Sequence, residues 1–381
     1  MSNQWKPSEI IVDRRVEDDP VTRSIIEKCQ PVPIKFVSSA NPRTIVKASD
    51  VFKSSGDRML DKILAGKQVL FVAPATNNTV DKFTMPDERI LCPHFERLKY
   101  AYNGCFYQCD WCYLKLTYRA VQPYITVYAD HDAIVKNLEK RISRSTEPII
   151  FNSGELADSL SLEHLTGAAR KFIPWFGTSR NGFLFMLTKS DDVDEILDLP
   201  HNGHTIIAWS INNEMVSRKF EIGAPPFQRR LAAARKVQEA GYPLRLRLDP
   251  IVPYNGWRMG YADTIKCIFE QVEPERITIG TLRFEEGFYK IRNNIFNTGP
   301  ELPGYLDEMV PMFEPRKIEG RNKPMIGKYS FTEDKRTEIF DFVINEIRKY
   351  SDCKIALCKE SAAVWQRLGL NSDACECACQ L

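Results

Sequence analysis

The sequence predicts an α/β protein built around a partial (β/α)6, TIM-like barrel. Three observations predict this fold. The 381 residues are 43% hydrophobic and 27% charged, which is typical of a globular chain with a sizeable core. Short apolar strand-like segments alternate with helix-like segments from about residue 98 to 290. Such alternation produces parallel βαβ units, whose functional side chains gather at the carboxyl ends of the strands.

Five strands and five helices are predicted within this central region. The strands are apolar runs bounded by turn residues: Pro148–Asn152, Gly182–Thr188, Thr205–Ile211, Pro243–Leu248 and Arg276–Ile279. The helices lie between and around them: His131–Ser143, Leu162–Phe176, Val193–Leu199, Pro226–Ala240 and Tyr261–Gln271. Gly241 follows the fourth helix, where glycine commonly stops a helix.

The chain divides into three predicted regions. Residues 1–95 form an N-terminal α/β extension, in which a strand follows a helix that ends near Ala65. Residues 96–290 form the barrel. Residues 291–381 hold a loop-rich stretch up to residue 330, an amphipathic helix over 333–350, a strand that begins at Ile355, a helix through Trp365 and a cysteine-rich tail.

Charge and targeting patterns narrow the class of protein. The formal net charge is +2, so the composition alone does not indicate a nucleic-acid-binding domain. The start of the chain lacks a charged segment followed by an apolar one, and no apolar run approaches membrane-spanning length, which predicts a cytoplasmic protein. One basic group is predicted to be a solvated helix face followed by a strand: Arg229, Arg230, Arg235, Lys236, Arg245 and Arg247.

The cysteines carry the main chemical signal. Eleven are many for a chain in a reducing compartment, so metal binding or redox chemistry is the expectation. Cys105, Cys109 and Cys112 have C-x3-C-x2-C spacing, which fits three corners of a [4Fe–4S] cube and leaves one iron open. An open iron can chelate S-adenosylmethionine (SAM), as in radical SAM enzymes. Zinc is the alternative, although a structural zinc site needs four ligands and only Cys92 is a candidate for the fourth.

Two further features fit a SAM site beside this cluster. Ser153-Gly154-Glu155 follows a predicted strand where radical SAM enzymes have a Gly-Gly-Glu-like motif, and the carboxylate of that motif holds the SAM amino group. Tyr113, the aromatic residue after the last cysteine, is expected near the adenine. Ser-Gly-Glu alone would be an ordinary turn between a strand and a helix.

From about residue 90 to 330, the sequence resembles the spore photoproduct lyase family. The resemblance rests on several specific runs: Asn103-Gly-Cys105, Pro123-Tyr-Ile-Thr-Val-Tyr128, Asp158-Ser-Leu-Ser-Leu-Glu-His164, Leu187-Thr-Lys189-Ser, His201-Asn-Gly-His-Thr, Trp209-Ser-Ile-Asn212, Ala232-Ala-Ala-Arg-Lys-Val-Gln-Glu-Ala-Gly-Tyr-Pro243, Asp249-Pro-Ile-Val-Pro and Trp257-Arg-Met-Gly-Tyr261.

The resemblance implies a function and further site residues. The family abstracts hydrogen from a thymine dimer lesion in DNA on a partial barrel, and its chemistry needs a reductant such as flavodoxin or ferredoxin. It implies SAM contacts near Lys189, Ser210 and Asp249. It also implies an approach to DNA near Arg283-Phe284 and Gly327-Lys-Tyr329.

Two departures from the family affect the end of the reaction. In an ungapped comparison, Glu155 occupies the position of the cysteine that returns a hydrogen atom to the product radical. Trp111 stands where the lyases have a tyrosine between the last two cluster cysteines. Lesion repair is therefore in question, and a rearrangement or hypermodification of a thymine-derived base fits at least as well.

The C-terminal cysteines suggest a second site. Cys358, Cys375, Cys377 and Cys379 could bind a second iron–sulfur cluster or zinc, or could supply a hydrogen-donor thiol. Incidental thiols in a flexible tail are the simpler alternative. Two other functions stay open for the whole chain: a radical SAM enzyme acting on a transfer RNA base, peptide or metabolite, and a non-catalytic iron–sulfur or zinc protein that binds nucleic acid.

Overall fold

The computed structural model describes residues 4–120, 122–298, 303–317, 327–372 and 377–381. Its strands are, in chain order, β1 (Glu9–Asp13), β2 (Ile34–Val37), β3 (Val69–Ala73), β4 (Val80–Phe83), β5 (Ile90–Leu91), β6 (Phe95–Leu98), β7 (Ala101–Tyr102), β8 (Ile125–Tyr128), β9 (Ile149–Asn152), β10 (Gly182–Thr188), β11 (Thr205–Ser210), β12 (Leu244–Ile251), β13 (Arg276–Thr281), β14 (Arg283–Glu285), β15 (Val310–Pro311), β16 (Lys328–Ser330), β17 (Lys354–Leu357) and β18 (Glu360–Ser361).

The helices lie between these strands and pack on their outer faces. They are α1 (Pro20–Cys29), α2 (Pro42–Ala48), α3 (Asp50–Lys53), α4 (Met59–Gly66), α5 (Leu114–Ala120), α6 (His131–Ile142), α7 (Glu163–Thr166), α8 (Ala168–Gly177), α9 (Glu214–Phe220), α10 (Phe227–Glu239), α11 (Trp257–Phe269), α12 (Glu286–Ile295), α13 (Glu333–Arg348) and α14 (Ala362–Arg367). None of the helices in the described ranges is long and apolar enough to cross a bilayer.

The larger sheet has the order β17-β13-β12-β11-β10-β9-β6-β4. Every neighbouring pair from β6 to β17 is parallel, and β4 is antiparallel to β6 at one edge. The predicted fold class, a partial barrel of alternating strands and helices, is therefore confirmed. A short antiparallel pair, β18 with β5, joins the chain after β17 to the chain before β6.

The N-terminal extension forms a second sheet of order β2-β1-β3-β8-β7. Here β8, from the region predicted as barrel, pairs in parallel with β3, whereas β4, from the predicted extension, pairs with β6. Sheet pairing thus crosses the predicted boundary at residue 95. The two layers share one hydrophobic core, which includes Ile10 and Val72 of the extension together with Phe151 of the barrel.

Two helix predictions were wrong. Val193–Leu199 forms only a 3-10 turn over Asp194–Ile196, because too few residues precede Pro200 to repay the cost of starting a helix. Leu162–Phe176 is two helices, α7 and α8, separated by Gly167. Gly167 has φ 60°, a left-handed conformation that ends the first helix at little cost for glycine.

Residues 291–330 were predicted to be loop-rich, and the described part of this range combines loops with short elements. α12 extends into it as far as Ile295 and buries Phe288 on one face, and β14, β16 and β15 form a small antiparallel sheet beside it. One expectation about a polar region was wrong. The basic group at 229–247 is not a solvated face throughout. Arg230 and Arg245 are buried, because the helix and strand that carry them turn these positions inward.

His131 gives the fold a specific dependence on pH. Burial against α8, where its ring packs on Phe172 at 5.4 Å, lowers the pKa of His131 to about 4. An unfolded histidine titrates near pH 6.5, so the stability is fully present above that pH and declines toward pH 4. We expect about 2 kcal/mol of unfolding free energy to be lost between pH 7 and pH 5 through this residue.

Urea unfolding at pH 7 and pH 5 measures this effect. His131→Phe should reduce the loss, because the unfolded chain then takes up one proton fewer. His94→Phe, at an exposed position, is the control and should leave the loss unchanged. Equal losses in the two variants would contradict the assignment to His131.

Candidate active site

One large cavity opens at the carboxyl ends of the barrel strands and has a volume of about 1030 Å³. It collects residues that lie far apart in the sequence. Nearly all of the residues predicted to form the site line it: Cys105, Cys109, Cys112, Tyr113, Gly154, Glu155, Lys189, Ser210 and Asp249. Their roles toward a cofactor stay predictions, but the structure brings them to a single place.

Ser153 is the exception among the predicted residues. Its hydroxyl is buried, lies 2.9 Å from the Ser159 hydroxyl and donates to the Phe185 carbonyl oxygen at 3.2 Å. Its side chain therefore serves to hold the turn after β9 against β10. Direct contact of this hydroxyl with a ligand is not supported by its position.

The cysteine loop, residues 105–112, is docked on that same turn through a close backbone approach. The Asp158 amide donates to the Gly104 carbonyl oxygen at 3.1 Å, and the Gly104 amide donates to the Leu156 carbonyl oxygen at 3.2 Å. A Cβ at position 104 would lie 2.4 Å from the Ala101 Cβ and 3.0 Å from the Ala157 Cβ. Only glycine permits this contact without movement of the backbone.

Hydrogen bonds to three other parts of the chain fix the rest of the loop. The Gln108 and Asp110 amides donate to carbonyl oxygens of Ile222 and Phe220, both at 2.8 Å. The buried Asp110 carboxylate accepts from the Asn297 amide at 2.6 Å, and Lys67 donates to the Cys105 carbonyl oxygen at 2.7 Å. The loop is therefore held in place by contacts that do not involve its thiols.

The donor set fits an iron–sulfur cube better than a single metal ion. Within the described residues, no three Cys, His, Asp or Glu side chains converge closely enough to hold one ion. Three thiols spread along the wall of a wide cavity instead suit a cube, whose cysteine ligands bind different irons. Burial raises the pKa of Cys109 to about 12, so this thiol is protonated in the metal-free chain and would lose its proton on binding a cluster.

Glu155 lines the cavity from the turn on which the cysteine loop is docked. Gly154 beside it packs so closely on β10 that a Cβ would lie 2.6 Å from the Leu187 Cβ. The Tyr113 hydroxyl donates to the Glu155 carbonyl oxygen, which ties the residue after the cysteine loop to this turn. The Glu155 carboxylate faces Lys359, with 3.6 Å between Oε1 and Nζ.

Lys189 belongs to a cluster of buried charged side chains that also contains Glu221 and Arg230. Its Nζ donates to the Ser210 hydroxyl at 2.8 Å and lies 3.6 Å from Glu221 Oε1. Burial acts to lower the pKa of Lys189, but Glu221 and Cys109 outweigh it and raise the pKa. Glu221 is also paired with Arg230 at 2.6 Å, with both side chains fully buried. The ammonium is therefore kept charged and directed toward the cavity.

A second charged group surrounds Asp249. Arg283 donates to both of its oxygens, at 2.9 and 2.7 Å, and Arg247 donates to one at 3.2 Å. Burial opposes ionisation, but the two guanidiniums hold the pKa of Asp249 well below its usual range. The pairing of β12 with β13 shifts between Leu248 and Ile251, and bulges of this kind redirect side chains near active sites.

The small sheet of β14, β15 and β16 lies at the mouth of the cavity. Arg283, Phe284, Gly327 and Lys328, which the sequence placed on the substrate side, line the cavity there. Phe284 stacks on Phe288 of α12 with ring centroids 5.1 Å apart. Arg283 is paired with Asp249, Lys328 is paired with Glu285, and Phe284 is buried, so this side of the cavity is close to balanced in charge.

Three contributors to the site were not predicted. Glu221 lies at the end of α9, a helix missing from the prediction, and Lys359 follows β17 in a left-handed conformation with φ 52°. Arg247 had been assigned to a solvated group. The alternation Arg245-Leu-Arg247-Leu-Asp249 within a strand was an available signal, since period-two residues share one face of a sheet.

The tail cysteines lie behind the site. Cys377 and Cys379 are buried within the barrel, and with Cys92 and Cys358 they line a small second cavity that also borders Glu155, Arg247 and Lys359. Cys375 lies outside the described residues. The described cysteines do not form a single-ion metal site, and a second cluster stays a prediction.

The barrel, the three-cysteine loop and the polar wall opposite it define an enzyme of the radical SAM class. Residues 7–356 match the sequence profile of the family described as spore photoproduct lyase. The chain belongs to the spore photoproduct lyase family.

Individual relatives agree with this membership. The chain is 37% identical over 184 residues to spore photoproduct lyase of Geobacillus sp. (strain Y412MC61), a match covering 48% of this chain and 53% of the relative. It is 28% identical over 274 residues to the lyase of Bacillus subtilis (strain 168), a match covering 72% of this chain and 75% of the relative. The match thus spans about half the length of the first relative and three quarters of the second.

Solved structures of spore photoproduct lyases are also similar to this chain. A spore photoproduct lyase complexed with dinucleoside spore photoproduct superposes with a TM-score of 0.76 at 25% identity, over 92% of this chain and 99% of the other. A mutant of the lyase with bound AdoMet and dinucleoside spore photoproduct superposes with a TM-score of 0.75 at 25% identity, over 93% of this chain and 98% of the other.

Asp249 makes a testable contribution to stability. Asp249→Asn removes the carboxylate that compensates two buried guanidiniums, so we expect unfolding free energy to fall by about 3 kcal/mol in urea titrations. Asp132→Asn, which breaks an exposed pair with Lys171, should leave the midpoint nearly unchanged. Equal midpoints for Asp249→Asn and the parent chain would show that Arg247 and Arg283 do not depend on this carboxylate.

Proposed function

We propose that this chain cleaves SAM reductively and uses the resulting radical on a thymine-derived base in DNA. The observation that carries the proposal is the single cavity. Its lining includes the three cluster cysteines, most of the residues expected to bind SAM and residues of the sheet formed by β14 and β16, which supports one shared site for cofactor and substrate. The solved relatives named above hold a dinucleoside lesion and AdoMet, which supports the same pairing of cofactor and substrate here.

Different residues of the cavity are proposed to bind the cluster, the polar groups of SAM and its adenine. A [4Fe–4S] cluster on Cys105, Cys109 and Cys112, with SAM on its open iron, would supply a 5′-deoxyadenosyl radical. Glu155 and Asp249 offer carboxylates, and Lys189 an ammonium, on the wall where the polar groups of SAM would bind. Tyr113 lies between the cysteine loop and Glu155, where it can pack on the adenine.

The mouth of the cavity suits a base that has left its helix. A base stacked in duplex DNA cannot reach a site at the base of a cavity, so it must be extruded, with its backbone held outside. Arg283 and Lys328 line the cavity but are paired with Asp249 and Glu285, so a contact with phosphate requires these pairs to open. The overall charge of +2 does not oppose this, since phosphate contact needs only local cations.

The proposal extends to a reaction other than simple repair. Glu155 replaces the donor cysteine, and a carboxylate is no substitute for a thiol as a hydrogen-atom donor to carbon. Trp111 packs on Phe220 at 5.4 Å and has no phenolic hydroxyl to relay hydrogen. A rearrangement or hypermodification of a substituted thymine, as in viral DNA modification, does not need that donor.

A second candidate is a radical SAM enzyme acting on a transfer RNA base, a peptide or a metabolite. The near-balanced charge of the whole chain is the observation that favours it. Salt dependence separates the two candidates, because DNA binding through phosphate contacts weakens steeply as salt rises.

The first test is anaerobic SAM cleavage. After reconstitution and reduction with dithionite, we expect about four irons per chain and 5′-deoxyadenosine that increases when thymidine-containing DNA is added. Cys109→Ala should abolish the product because the cluster loses a ligand. Cys353→Ala, outside the cavity, should not.

Each alternative result has a distinct meaning. Stimulation by transfer RNA or peptide in place of DNA would support the second candidate. Absence of both iron and SAM cleavage in the parent chain would leave a non-catalytic zinc or nucleic-acid-binding protein. A reductant such as flavodoxin or ferredoxin should replace dithionite if the chain acts as proposed.

Position 155 gives a second test with a matched pair of variants. On dinucleoside spore photoproduct, the parent chain should form 5′-deoxyadenosine but little repaired thymidine dinucleoside, because no thiol lies at position 155. Glu155→Cys should raise the amount of repaired dinucleoside per 5′-deoxyadenosine formed at least about tenfold, a change of about 1.4 kcal/mol in barrier. Glu155→Ser loses the same pairing with Lys359 but has no thiol, and it should give no increase.

Chromatography of the repaired thymidine dinucleoside and 5′-deoxyadenosine from the same reactions measures both quantities. Efficient formation of the repaired dinucleoside by the parent chain, with the same ratio to 5′-deoxyadenosine in Glu155→Cys, would contradict the link between position 155 and the outcome. The chain would then be a repair enzyme with a different hydrogen donor.

A further inference from the structure

The described tail, residues 377–381, forms a tight turn inside the barrel. The Gln380 amide donates to the Cys377 carbonyl oxygen at 3.0 Å, which is the hydrogen bond of a four-residue β-turn. The turn brings Cys377 and Cys379 onto the same side, with 2.9 Å between their Sγ atoms. Both side chains are buried.

Barrel residues hold this turn through its backbone. The Ala378 amide donates to the Thr278 hydroxyl at 2.7 Å, and the Ala378 carbonyl oxygen accepts from Arg245 at 2.7 Å. Arg276 donates to the Cys377 carbonyl oxygen at 3.0 Å. Buried arginines of β12 and β13 thus bind the tail, and the two thiols have defined positions.

A third thiol lies in the same small cavity. The Cys358 sulfur accepts from Arg283 at 3.0 Å and is also contacted by Arg247. These guanidiniums outnumber the one carboxylate between them, Asp249, so the surroundings of Cys358 carry excess positive charge. Burial outweighs the two guanidiniums and raises the pKa of Cys358. The excess positive charge opposes the binding of a further metal cation at this thiol.

We propose that Cys377 and Cys379 form a reversible disulfide, a redox-modification site within the barrel that exchanges with external disulfides and thiols. The Cys379 thiolate attacks an external disulfide and releases one thiolate, which gives a mixed disulfide. Cys377 then loses its proton and attacks the Cys379 sulfur, which forms the intramolecular bond and releases the second thiolate. The chain loses two electrons and two protons, and the external disulfide is reduced.

Exchange at this site requires local opening of the tail, because both sulfurs are buried. The reaction should therefore be slow in the folded chain and faster in the unfolded one. The small cavity shares Glu155, Arg247 and Lys359 with the large one, so closure of the disulfide alters the packing behind the proposed SAM site. The exchange itself needs neither SAM nor DNA, and it stands independently of the proposed function.

Peptide mass spectrometry tests the proposal directly. The chain with Cys375→Ser is incubated anaerobically with oxidised glutathione, alkylated under denaturing conditions and digested with trypsin. The peptide that follows Arg367 then contains only Cys377 and Cys379. We expect it to lose two hydrogens and take up no alkyl group, and dithiothreitol should reverse both changes.

Two controls make the result specific. Cys375→Ser combined with Cys379→Ser should show no loss of two hydrogens. Cys353 is only partly buried and lies outside the small cavity, so it should still be alkylated in the peptide that contains it. Thermal unfolding supplies a second measurement: oxidation should shift the midpoint in the Cys375→Ser chain and should not shift it in the double variant.

Three outcomes would overturn the proposal. Full alkylation of Cys377 and Cys379 after oxidation, under conditions that oxidise the unfolded chain, would exclude the disulfide. A stable glutathione adduct without ring closure would show that the turn cannot bring the sulfurs together. Zinc or iron beyond the proposed cluster, lost on Cys379→Ser, would assign the thiols to a metal site instead.

Discussion

The site depends on the contact between the cysteine loop and the turn after β9. Gly104 lies against Ala157 with no room for a side chain, and paired amides and carbonyl oxygens cross between the two segments. Since the turn is itself packed on β10 through Gly154, the sheet fixes the distance from the three cysteines to the opposite wall. A larger residue at either glycine would move the two halves of the site apart.

Much of the fold was predictable because its strands are short apolar runs with clear ends. Gly182–Thr188 was predicted with the bounds that the structure has, and the predicted strand Thr205–Ile211 is one residue longer than the observed Thr205–Ser210. The failures share a cause. A short amphipathic segment such as Glu214–Phe220 has too few residues for its periodicity to be recognised, and the sequence does not show which polar faces the sheet will cover.

The site was predictable to the extent that its motifs are local. The C-x3-C-x2-C motif was identified from its spacing alone, and the Ser-Gly-Glu turn from its position after a predicted strand together with that motif. Glu221 and Lys359 were missed because their importance comes from partners distant in sequence, Lys189 and Glu155. The tertiary structure decides which buried charges pair, and a single sequence does not show which distant residues will be brought together.

The filled interior of the barrel has a consequence for the shape of any substrate. Arg245, Arg276 and the tail residues 377–380 occupy the lumen beneath the site, and the described cavity opens on the side of β14 and β16. A chain-like substrate therefore cannot be threaded through the described part of the barrel. Such a substrate must place one of its monomers into the cavity from the side while the rest of the polymer stays outside. An enzyme of this shape therefore needs no free chain end and can also act on a circular polymer.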